Sequence, residues 1–114
     1  MLKKNVLSGK QNFDQVYKYG KSIGHKYVVV FYKRNKLSYN RIAFLASKKV
    51  GNAVCRNRAR RLMKESVRLM GDMSFTGYDI IFIARNTING RKCADVKWSI
   101  ESALKKAGLG KKNK

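Results

Sequence analysis

The chain has 114 residues, 44% of them hydrophobic, and a formal net charge of +21. That length fits one domain over residues 1–114, and that apolar share builds a core, so a wholly disordered basic polypeptide is excluded. Cys55, Cys93 and His25 are the whole Cys/His inventory, short of the four ligands of a zinc site.

Met1-Leu2-Lys3-Lys4 leads into no apolar signal core. The first periodic segment, Ser8 to Tyr19, predicts a helix. Phe13, Val16 and Tyr17 share one face, and Gly20 stands where a left-handed C-terminal cap belongs. Tyr27 to Tyr32 is β-branched and aromatic throughout and predicts a strand. It is also the longest apolar run, far below the roughly 20 residues that span a bilayer. No membrane partner is expected, the expected location is cytoplasmic, and both cysteines are expected as buried thiols. Lys33 to Asn40 predicts a polar loop and Arg41 to Ala46 a second strand, the two strands forming a hairpin.

A helix is predicted from Asn52, a good N-cap, to Met70, stopped by Gly71. At about 100° per residue, Cys55, Ala59, Leu62, Met63, Ser66, Leu69 and Met70 share the inward arc. Asn57, Arg60, Arg61, Lys64 and Arg68 lie opposite, with Arg56 and Arg58 at the borders. Asp79 to Arg85 predicts a third strand. Asp95 to Ala107 predicts a last helix, with Val96, Ile100, Ala103, Leu104 and Ala107 inward. Residues 108–114 should fray as a basic tail. Irregular alternation of helices and strands points to an α+β class.

Charge is concentrated in the middle. Gln15 to Lys64 holds fourteen Lys or Arg and no Asp or Glu. Along the basic helix Arg56/Arg60, Arg60/Lys64 and Lys64/Arg68 stack like charges at i, i+4, and no acid on the same ridge relieves them. A merely solvated face would interleave acids. Arginine outnumbers lysine five to one from Arg56 to Arg68, and the guanidinium fork suits phosphate. A polyanion is the implied partner, and structured RNA suits mostly phosphate-binding side chains better than DNA does. Phe13 and Tyr17 on the first helix, with Tyr27, Phe31 and Tyr32 on the first strand, are candidates for a base-stacking groove or for core.

The run from Ser47 through Arg56-Asn57-Arg58 to Arg61 closely resembles the Arg-Asn-Arg signature of the bacterial ribonuclease P protein component. Phe13-x-x-Val16-Tyr17-x-x-Gly20 and Asp79 to Arg85 resemble that family's first helix and last strand, so the resemblance covers nearly the whole chain. Tyr17 stands where the family often has Phe, and Arg60 where Lys is common. The resemblance implies a small α–β sandwich of order αβββαβα, with a central mixed sheet, a left-handed βαβ crossover and an extra strand near Lys21 to Ile23.

By the same resemblance, the chain assists removal of the 5′ leader from precursor tRNA. The large RNA subunit is the implied catalyst, with Mg²⁺ held mainly by that RNA and one protein per RNA. Implied RNA-subunit contacts are Lys48, Lys49, Arg58, Arg60, Arg61 and Lys64. The implied leader cleft is Phe13, Tyr17, Lys18, Phe31, Arg56 and Asn57. The residues agree with a non-catalytic role, since the six acids are scattered and metal-assisted phosphodiester cleavage needs them clustered. The competing reading is a ribosomal or RNA-chaperone protein with no processing role.

Overall fold

The β-branched runs form strands, but not in the order their sequence spacing suggests. The computed structural model describes residues 3–71, 73 and 75–109. Helix α1 (Lys10–Tyr19) is followed by strands β1 (Lys21–Gly24), β2 (Val28–Arg34) and β3 (Arg41–Ala46). Helix α2 (Ala53–Met70), strand β4 (Tyr78–Ala84) and helix α3 (Cys93–Lys106) complete the order αβββαβα. The sheet runs β1-β2-β4-β3. β2 is antiparallel to β1 and β4, whereas β3 and β4 are parallel, from Arg41 opposite Asp79 to Ala46 opposite Ala84.

The expected hairpin of the first two strong strands is therefore wrong: β4 inserts between β2 and β3. Parallel neighbours need a long crossover, and α2 supplies it. Alternation along the strands divides the sheet into two faces. Val28, Val30, Ile42, Ile80, Phe82 and Ala84 pack with Ala59, Met63 and Val67 of α2 and with Val96, Ile100 and Leu104 of α3. Each such Val, Ile, Leu, Met or Phe side chain contributes about 1.5–3 kcal/mol on full burial. The opposite face buries Ala43 and Ile81 against Leu7 and Val16, with Phe13, Phe31, Leu45 and Ile83 only partly covered.

Gly20 is required for a different reason than a left-handed cap. Its φ is −84°, in the extended region. A Cβ there would lie 2.5 Å from the Val16 carbonyl oxygen and 2.6 Å from that of Tyr32. Gly20 lets α1 end directly against β2. In α2, Val67 is buried and Leu69 is exposed, reversing the expectation for Leu69. The cause is placement of the contact arc: α2 sinks Ala59, Met63, Ser66 and Val67 between sheet and α3, turning Leu69 out. Of the expected frayed tail, Leu109 is instead buried, its amide bonded to the Leu104 carbonyl at 2.8 Å. Residues 110–114 lie outside those described. Cys55 and Cys93 are free thiols, half-buried rather than buried.

Asp79 is the one buried acid among the described residues. It accepts from Arg41 Nε at 2.8 Å, Arg41 Nη2 at 2.7 Å and Asn35 Nδ2 at 3.0 Å. This buried, fully bonded pair ties the start of β3 to β4 and to the loop after β2. The bond and charge of Asp79 push the Arg41 pKa further up, against the opposing effect of burial.

Candidate nucleic-acid interface

α2 begins where its sequence says it should. The Asn52 side chain accepts from the Cys55 amide at 3.0 Å, satisfying one of the unpaired amides of the first turn. Gly51 precedes it at φ +143°, and a Cβ there would lie 3.0 Å from that of Cys55. The tight entry leaves Lys48 and Lys49 exposed on a turn closed by the Val50 and Gly51 amides, with Val50 buried as its anchor.

The cations of α2 are not equivalent. Arg61 and Lys64 project into solvent. Arg60 is half-buried and donates to Asn57 Oδ1, which aligns those two side chains. Arg56, also half-buried, folds back to donate to the Gly51 carbonyl at 2.9 Å. Arg58 leaves the ridge toward α3 and donates to the Arg91 carbonyl at 2.9 Å. The ridge is also not free of carboxylates: Glu65 takes a two-pronged bond from Arg68, and that bond holds the Glu65 carboxyl below its usual range. Both side chains are well exposed, so the pair adds little stability. Its effect is to remove Arg68 from the free cations.

On the other face of the sheet the predicted aromatics meet. Phe13 and Tyr17 stack with ring centroids 6.5 Å apart, and Tyr17 meets Phe31 edge to face at 5.0 Å. Partial burial pushes the Tyr17 phenol pKa up. Lys18 borders this group: its ammonium lies 5.4 Å from the Tyr19 ring, and it lines a shallow pocket with Tyr17, Gln11, Asp14 and Gln15. Tyr27 is core, and Tyr32 packs on the helical side of the sheet.

A groove joins the two surfaces. Phe13, Leu45 and Val54 line it together with Asn57, Arg60, Arg61 and Lys64. The outer edge of β3, bridged at Ile42 by Val6, thus lies between a cationic wall and Phe13. Three expected RNA-subunit contacts share this groove with two expected leader contacts, so the two sets are not spatially separate. Sequence reading missed Leu45 and Val54. Val54 is 73% exposed, and its signal was an apolar residue on the outward arc of a basic helix.

The family profile described as ribonuclease P matches residues 1–108. The ribonuclease P protein component of Clostridium botulinum strain Langeland is 41% identical over 109 residues, covering 95% of this chain and 98% of the relative. That of Alkaliphilus metalliredigens is 45% identical over 105 residues, covering 91% and 90%. Among solved structures, the Staphylococcus aureus RNase P protein superposes with a TM-score of 0.83 at 30% identity, covering 94% of this chain and 98% of that one. The Thermotoga maritima RNase P protein gives 0.79 at 27% identity, covering 89% and 96%.

Proposed function

We propose a function from one premise: the chain belongs to the ribonuclease P protein family. It is the protein subunit of that ribonucleoprotein, acting in removal of the 5′ leader from precursor tRNA. The ribosomal or RNA-chaperone reading is not favoured, because a profile and relatives spanning nearly the whole chain all carry the one family name.

The observation that carries the reading is the groove, which places Arg60, Arg61 and Lys64 beside Phe13 and Asn57 at one sheet edge, so that cationic and stacking contacts adjoin. Lys48, Lys49, Arg58, Arg60, Arg61 and Lys64 dock on the RNA subunit by pairing with phosphates. The aromatic trio Phe13, Tyr17 and Phe31, with Asn57, receives the single-stranded leader, whose bases stack on rings while cations follow its backbone. Arg56 serves the cleft indirectly by holding the Gly51 carbonyl at the start of α2. Lys18 stands at the rim, on the Tyr19 side of α1.

The chemistry belongs to the RNA subunit, with Mg²⁺ held mainly by that RNA. Four of the chain's six carboxylates are engaged within the protein, which supports that assignment. Asp79 is bonded to Arg41 and Asn35, Glu65 to Arg68, Glu101 to Lys97, and Asp95 to the Lys92 amide at the start of α3. Among the described residues no three His, Cys, Asp or Glu gather as a metal would need. The protein binds, orients and neutralises. We further propose one protein per RNA and a cytoplasmic location. No described helix is long and apolar enough to cross a membrane.

Reconstitution tests this. Ribonuclease P RNA and precursor tRNA, with and without the protein, are assayed for leader release as Mg²⁺ is lowered. The expected result is that the protein sustains cleavage at Mg²⁺ levels where the RNA alone slows; identical curves overturn the proposal.

A further inference from the structure

Trp98, the sole tryptophan, is 52% exposed in the middle of α3. The indole is one of a few large apolar side chains left exposed, with Tyr17, Tyr19, Val54 and Leu69. Its surroundings are ordered. The His25 ring meets it edge to face, centroids 5.0 Å apart. His25 Nδ1 is 2.7 Å from Ser99 Oγ, a fully buried hydroxyl that also accepts the Tyr27 amide at 3.2 Å. The His25 carbonyl accepts from Arg85 Nη1 at 2.8 Å. The β1–β2 turn is thus pinned against α3, and the indole stands beside it as a flat platform.

Cations flank that platform, with Asp95 and Glu101 of α3 three residues to either side of Trp98. Lys26 and Lys106 are close enough that, after burial, they lower the His25 pKa. The two acids of α3 are engaged: Glu101 by Lys97 at 3.3 Å, Asp95 by the Lys92 amide at 3.2 Å. A chain of contacts leads back to α2. Arg58 donates to the Arg91 carbonyl, the Arg91 guanidinium lies 5.6 Å from the Tyr27 ring, and the Lys26 ammonium approaches the same ring at 5.7 Å. Arg58, which leaves the ridge, is where this second track begins.

We infer that the face of α3 around Trp98, reached from α2 through Arg58, Arg91 and Lys26, is a second docking surface for the ribonuclease P RNA subunit, with Trp98 stacking on an unpaired base. The inference rests on the reading of α2 as the RNA-docking ridge. An exposed ring with a cationic surround is the arrangement that holds unpaired bases. A second copy of a +21 chain is repelled from such a patch. The leader is disfavoured by position: α3 packs on the helical face of the sheet, whereas Phe13 and Phe31 lie on the other.

Trp98 is its own reporter. The wild-type protein is titrated with ribonuclease P RNA while tryptophan emission and acrylamide quenching are followed. In parallel, RNA affinity is measured for Trp98→Leu, Trp98→Phe and Arg60→Ala/Arg61→Ala. Expected are altered emission, shielding from acrylamide on binding, about tenfold weaker binding for Trp98→Leu, the size of one lost stacking contact, and a smaller loss for Trp98→Phe. Shielding in the wild type supports the inference even if Trp98→Leu folds poorly. An unshielded indole, with loss confined to the arginine variant, overturns it and leaves the ridge standing. Loss confined to Trp98→Leu overturns the ridge and, with it, the path from α2 on which the inference rests; no loss in either overturns both. Shielding by a leader oligonucleotide but not by the RNA subunit also overturns it.

Discussion

Tyr17 and Phe31 meet edge to face at 5.0 Å across the junction of α1 and β2, and the Tyr17 ring is still 42% exposed. Phe13 and Phe31 hold the ring while part of the residue stays accessible, so a base can stack without first ordering it. A phenol is uncharged at neutral pH, and burial moves the Tyr17 pKa further up. Tyr17→Ala should weaken binding of leader-bearing precursor tRNA by about 5- to 100-fold, the range for one stacked base. It should leave leaderless tRNA unaffected, and Tyr17→Phe should bind nearly as the parent. Dissociation constants for both substrates decide; equal losses count against the cleft.

The cationic wall of the groove has a different signature, because phosphate contacts release counterions. Arg60→Ala/Arg61→Ala should weaken RNA-subunit binding and reduce the slope of log affinity against log salt by about 2. With about 6–10 phosphate contacts, the parent should lose roughly 10³–10⁵ in affinity between 50 and 200 mM salt. A slope shared by parent and variant would mean that these guanidinium groups meet no phosphate.

How far the sequence reaches is visible in three places. The span and cap of α2 were legible because Asn52 and Gly71 are local signals read by local backbone, and the Asn52 cap is present. The neighbour of β3 was not: β-branched alternation says which face a residue takes, not which strand lies beside it, and β4 is supplied from across α2. β1, with only Ile23 turned to the core, has no pattern of its own and entered only through family resemblance. In the site, spacing offered Phe13, Tyr17, Tyr27, Phe31 and Tyr32 as groove or core alike, and family resemblance singled out Phe13, Tyr17 and Phe31. The turning of Arg58 toward Arg91 and the neutralising of Arg68 by Glu65 depend on tertiary neighbours.

Gly20 gives a stability prediction that composition would not suggest. Both oxygens its Cβ would strike belong to backbone held by α1 and by β2, so neither can swing aside as a flexible side chain does. Gly20→Ala should therefore cost about 1–3 kcal/mol, the range for overpacking, despite alanine's favourable backbone propensity. Denaturant unfolding measures it. A neutral or stabilising effect would show that α1 can shift away from β2.

His25 sets a pH dependence whose sign is fixed. Burial first, then Lys106 and Lys26, lower its pKa below the usual 6.5. Below pH about 6.5 the unfolded chain takes up a proton that the native imidazole resists, so this contribution is full above the unfolded pKa. It is lost as pH falls toward the native one. The melting temperature of the parent relative to His25→Gln should therefore drop from pH 7 to 5. Carboxylates titrate alike in both proteins and cancel. A difference that is flat or rises toward acid would contradict the assignment.

The last prediction concerns the protein without RNA. Its fourteen-cation block is folded onto one small body, and Arg61, Lys64, Lys48 and Lys49 all remain exposed. Self-repulsion opposes the compact state and grows as salt is withdrawn. An anion that binds the folded cation cluster more tightly than the unfolded chain stabilises it by mass action. Sulfate or phosphate should then raise the melting temperature more than chloride at equal ionic strength, and Arg60→Ala/Arg61→Ala should blunt the difference. Equal responses to chloride and sulfate would reduce the effect to plain screening, with the cations too dispersed to hold an oxyanion.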